Sequence, residues 1–115
     1  MAALTETGAR RLHGATVGTT AEHVGLSSPV KQVFVTNLDT DPMYAKTYIS
    51  HLHVTDDTGM SAVAAADDEA ILIPPGKTRR VFKSSRRAFV RLTLVGNASS
   101  YAVEGSDYAI ITDLD

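Results

Sequence analysis

Apolar and polar residues alternate with a period of two over much of this chain, and almost nowhere with the period of a helix. The stretch "AFVRLTLVG" (Ala88–Gly96) is the clearest case, with Val90, Leu92 and Leu94 on one face and Arg91 and Thr93 on the other. "VKQVFVTN" (Val30–Asn37) is β-branched and aromatic, and closes on asparagine before the turn-rich "LDTDP". "MYAKTYISHLHVT" (Met43–Thr55) alternates in parts, but the step from Ile49 to Leu52 breaks the period and predicts a bulge or break near Ser50. "YAVEGSDYAIIT" (Tyr101–Thr112) reads as a hairpin turning at Glu104–Asp107. Short strands with turn signals between them predict an all-β fold, a single small antiparallel β-sandwich or jelly-roll-like barrel.

Helix signals are weak. The alanine-rich "MSAVAAADDEAIL" lacks an apolar stripe and places Asp67, Asp68 and Glu69 where a helix C-terminus would disfavour them, so it reads as a loop with at most one helical turn. Residues 1–13 are polar and aperiodic and read as an extended N-terminal arm, ordered only if something else holds it. The β-sandwich domain is then expected over residues 14–115, with a first strand inside "ATVGTTAEHVG".

The stretch "ILIPPGKTRRVF" (Ile71–Phe82) separates two readings. A phosphate-gripping loop needs several glycines and a following helix, whereas two prolines here remove N–H donors and a strand pattern follows. A turn fits better: Pro75 presets φ, Gly76 takes the positive φ of a type II turn, and Pro74 ends the incoming strand.

Composition narrows the function classes. At 115 residues the chain is one domain with room for a core, and a formal charge of −2 supplies no global field toward nucleic acid or anionic lipid. The absence of cysteine removes disulfides and thiolate chemistry. No apolar run approaches the roughly eighteen residues of a membrane helix. The opening residues, interrupted by Glu6, Arg10 and Arg11, do not read as a secretory signal, so no export and no membrane partner are expected.

The charges are nevertheless segregated. Lys77, Arg79, Arg80, Lys83, Arg86, Arg87 and Arg91 are seven of the eleven basic residues, and no acid occurs between Ala70 and Val103. Arg79 and Arg80 must point to opposite faces of one strand, which a strand covered on both sides holds only at a high desolvation cost. That strand is expected at a sheet edge or against a partner. The cations could simply protect a solvated edge, or they could pair with a partner's carboxylates. Nucleic acid is the weaker third reading, because the nearby Phe82 and Phe89 read as core residues rather than stacking platforms.

Other constellations are bland. His51 and His53 share a strand face with Asp56 and Asp57 nearby, but no third placed ligand completes a zinc site. Asp67, Asp68 and Glu69 lack the oxygen spacing of a calcium loop and read as a solvated acidic loop. No nucleophile elbow is present, and "NAS" at Asn97–Ser99 reads as a turn. No catalytic residue, metal or cofactor is assigned.

The order of "TVGTTAEHVGL", "VFVTNLD", "ILIPPGKTRRV" and "AFVRLTLVGNASSYAVEG" resembles the small β-sandwich or β-barrel virion proteins of tailed bacteriophages, the head decoration (cement) proteins and head-fibre bases. The resemblance spans about residues 16–105. It implies a non-enzymatic structural protein of the virion, on the capsid surface after assembly in the host cytoplasm. Its partners would be the major capsid protein or other virion subunits, and it would be a homo-oligomer, with a trimer favoured. The family's turn is usually followed by a neutral or acidic strand, whereas Lys77, Arg79 and Arg80 follow it here, which leaves the docking surface open. The residues expected to face the partner are Arg10, Arg11, Lys77, Arg79, Arg80, Arg86 and Arg87. A neck, tail or fibre-base component is the alternative within the virion. A carbohydrate-binding module is a further alternative, weakened by the absence of tryptophan.

Overall fold

A computed structural model describes residues 5–7, 11–15, 20–64, 67–97 and 99–107, the first two stretches as backbone alone. The described residues form eight strands and no helix. They are β1 (Thr5–Thr7), β2 (Arg11–Ala15), β3 (Glu22–Leu26), β4 (Val30–Asn37), β5 (Met43–Ser50), β6 (Ile71–Ile73), β7 (Thr78–Val95) and β8 (Ser100–Ser106). The all-β expectation holds, and every pairing is antiparallel except that of β1 with β3.

The 18-residue β7 organises the sheet. Its first half pairs with β4, in the order β7–β4–β8–β2, and its second half lies between β3 and β5, in the order β1–β3–β7–β5–β6. One strand thus belongs to two leaves. The changeover falls at Ser84–Arg87, where the register with β4 jumps from Gln32–Lys83 to Val30–Ala88. Such irregularity bends a strand and lets it switch leaves. The sequence predicted two strands here, because Ser84–Arg87 carries no apolar residue.

The core lies between the leaves. Val33, Val35 and Val103 from one leaf meet Val24, Ala45, Ile73, Val90, Leu92 and Leu94 from the other. A second register shift, between Val33–Phe82 and Phe34–Arg80, leaves Val81 as an extra residue on β7. It allows consecutive apolar residues to serve the core, Val81 within it and Phe82 packed against it.

Several expectations can be placed. β4 has the predicted limits, and β5 ends at Ser50, where the alternation fails. Pro74–Lys77 is the expected turn: Lys77 N donates to Pro74 O at 3.1 Å and Gly76 has φ 72°. The expected hairpin at Glu104–Asp107 is corrected. Glu104, Gly105 and Ser106 continue β8, opposite Phe34, Val33 and Gln32 of β4. Gly105 is there for close packing instead, since a Cβ would lie 2.7 Å from Val30 Cγ1 and 2.8 Å from Leu26 Cδ1. Within the region read as an arm, β1 pairs with β3 and β2 with β8, so a boundary after His13 falls inside a strand. Tyr108–Thr112 lies outside the described residues.

Candidate interaction surface

Among the described strands, the first half of β7 is an edge. β4 occupies one side of Thr78–Lys83, and no described strand borders the other. Cations occupy both faces of this edge. Arg79 stands opposite Val35 and Arg80 opposite Phe34, neighbours that point to opposite sides of β4. Arg80 is exposed and its Nη1 donates to Gln32 Oε1 at 3.4 Å, while Arg79 is half-buried with its Nε sequestered and unpartnered among the described residues. Lys77 is exposed at the exit of the turn, and Lys83 is exposed on the Gln32 face.

At the changeover, Arg86 and Arg87 both project into solvent. Arg86 N donates to Ser84 Oγ at 3.2 Å, which fixes the bend from within. Arg87 reaches the Asp107 carboxylate at 2.8 Å. The structure therefore gathers Lys77, Arg79, Arg80, Arg86 and Arg87 along one margin. Arg11 is not with them. Its position in β2 pairs with Glu104 on the far edge of the same leaf, three strand spacings or roughly 14 Å away. Arg10 lies outside the described residues.

Arg91, the seventh cation of the run, is turned to another use. Its Nη1 donates to Asp56 O at 2.9 Å and to Thr58 O at 2.7 Å. This is one of several clamps that hold the segment between β5 and β6 as a strap over the outer face of the β3–β7–β5 leaf. Val63 is buried against that face, and its N–H donates to Thr93 Oγ1 at 3.2 Å. Ser61 N donates to the Tyr48 hydroxyl at 3.1 Å. Lys46 pairs with Glu69 at 3.1 Å and Asp67 at 3.6 Å. The hydrogen bond to Glu69, ahead of the Asp67 charge, raises the Lys46 pKa. The Asp56 carboxyl is held below its ordinary value by the Thr58 hydroxyl and N–H. The acidic loop of the sequence reading is thus largely tied down. Its one sequence signal was Val63, a lone larger apolar residue among alanines.

The strap and the β7 terminus border an open pocket of about 480 Å³. Pro42, Tyr44, Val63, Ala64 and Val95 line it, with Asp41, Gly96 and Asn97 completing the wall. Asn97 Nδ2 donates to Asp41 Oδ2 at 3.2 Å. Asn37 sets the position of Asp41: its buried amide donates to Asp41 O at 2.7 Å and Ile73 O at 3.1 Å, and its Oδ1 accepts from Asp39 N at 3.0 Å. Sequence reasoning missed this cavity, because its lining comes from three separate segments.

Neither His51 nor His53 belongs to a group of three possible metal ligands among the described residues. His53 stacks on Phe89, ring centroids 5.2 Å apart and planes at 19°, and His51 is exposed. Among the described residues no three His, Asp or Glu side chains converge as metal ligands would. No family model, curated protein or solved structure matches this chain.

Proposed function

We propose that this chain is an adhesive module without chemistry of its own, a capsid decoration protein that binds and reinforces the head shell of a tailed bacteriophage. The observation that carries the reading is the arginine-rich margin of β7, which no described strand borders. An edge strand exposes main-chain donors and acceptors, and arginines there repel an identical edge while attracting carboxylates. Arg79 and Arg80 present that charge above and below the sheet, and Arg86 and Arg87 extend it around the bend. The virion setting, the shell protein as partner and the homo-oligomeric state come from the sequence resemblance. In that setting each copy makes modest contacts, and many copies on a symmetric shell stabilise it by mass action.

The test is sedimentation of purified protein with empty shells at rising salt. Occupancy should fall as salt screens the exposed arginines, and Arg79→Glu with Arg80→Glu should lower affinity about tenfold or more at low salt. Unchanged occupancy in the double variant would remove the electrostatic basis of the proposal. Absence of binding by the wild-type chain would remove the shell as partner.

A further inference from the structure

We propose that the cavity at the end of β7 receives an arginine from a second copy of this chain, Arg86 of the bend, in a head-to-tail contact. The proposal concerns self-association and does not rest on the virion reading.

The chemistry of the cavity selects the guest. Its lining is mostly apolar, from Val63, Val95, Pro42 and Tyr44. Among the described residues, its one charged lining residue is Asp41. Asp41 Oδ2 accepts from Asn97, and Oδ1 has no partner among the described residues. An apolar lining with one carboxylate suits a side chain that packs an aliphatic stem and pairs its charged head. A planar guanidinium can also lie against an aromatic face, which an ammonium does less well.

Among the cations of β7, most are already engaged or less suited. Arg91 is committed to the strap carbonyls, Arg87 to Asp107, and Arg80 leans on Gln32. Arg79 is half-buried beside the core rim. Arg86 is exposed, has no side-chain partner among the described residues, and sits on the irregular stretch that leaves the plane of the sheet. Lys83 is also exposed, but it stands within the paired part of the strand and lacks the planar head.

Geometry forbids the contact within one copy. Ala88 and Val95 bound the straight second half of β7, and seven residues of strand span roughly 23 Å. The bend and the cavity therefore sit at opposite ends of one rigid element. A second copy can bring them together, and such an interface is heterologous: each chain offers a different surface on each side, so the contact repeats into a ring or a chain.

The experiment is sedimentation velocity of the full chain at low salt, about 20 mM, and at about 300 mM, where exposed charges are screened. The wild type is expected to associate at low salt and dissociate at high salt. Asp41→Asn and Arg86→Ala should each sediment as monomers. The deciding arm mixes the two variants. Asp41→Asn still presents Arg86, and Arg86→Ala still presents the cavity, so an equimolar mixture should form a dimer and nothing larger. Thermal unfolding of each variant checks that it remains folded. A wild type that stays monomeric at low salt overturns the proposal. So does a single variant that associates like the wild type, or a mixture that stays monomeric while the wild type associates.

Discussion

Two buried residues show how little freedom individual positions have. Gly105 faces Val30 and Leu26 so closely that a methyl group requires both to move. Val30 is β-branched and fully buried, and it has few alternative rotamers. Gly105→Ala should cost about 1–3 kcal/mol by overpacking, read as a lower urea midpoint with an unchanged slope. Tyr101 is 1% exposed, and its hydroxyl is buried near Glu22. Burial, with the Glu22 charge behind it, pushes the phenol pKa up from its ordinary 10.0. The folded phenol therefore keeps its proton where the unfolded one loses it. That term is constant below the unfolded pKa, and stability falls as pH rises past about 10. Lys46, also raised, contributes in the same direction. Tyr101→Phe should flatten this alkaline loss, since it removes the titrating group. Urea midpoints of both proteins at about pH 8 and about pH 11 test it, and parallel slopes would rule out the tyrosine.

Among the elements, the strap depends on a few long-range clamps rather than on local propensity. Arg91→Ala removes both guanidinium bonds to Asp56 O and Thr58 O, which lie on the sheet-facing side of the strap. Charge-assisted bonds of this kind contribute about 1.5–3 kcal/mol each when buried and less where exposed. Amides of Asp56–Val63 should therefore exchange with deuterium faster in the variant, while those of β4 and β8 stay protected. Uniform acceleration across the molecule would instead mark Arg91 as a residue of global stability.

The same elements show what could be read in advance. β4 was legible because its β-branched and aromatic run closes on Asn37 before a turn-rich cluster, and β6 with its turn because Pro75 and Gly76 fix their own dihedrals. The cationic margin was legible because its charges are contiguous in sequence. The inward use of Arg91 was not, since its acceptors are strap carbonyls that no side-chain pattern announces. Gly105 misled because a glycine between polar residues signals a turn as readily as close packing. The separation of Arg11 from the other arginines needed the pairing of β2 with β8.

Across the whole molecule, β7 makes the two leaves one cooperative unit. Its first half carries the edge of one leaf and its second half the centre of the other, so neither leaf can open without losing part of the same strand. Leu92 sits where this matters most, fully buried and flanked by Val24 of β3 and Thr47 of β5. Leu92→Ala should cost about 2–5 kcal/mol from lost burial and the cavity left behind. The loss should appear equally in both leaves, although Leu92 pairs with neither β4 nor β8. Methyl resonances of Val33 and Val103 report one leaf, and those of Met43 and Ile73 the other. During urea unfolding of the variant, all four should disappear in a single coincident transition at a lower midpoint. If the β5–β6 probes melt first and the β4–β8 probes keep the wild-type midpoint, the leaves are independent. The cationic edge would then be carried by a unit that survives loss of the other leaf, and margin and cavity could no longer be treated as two ends of one rigid body.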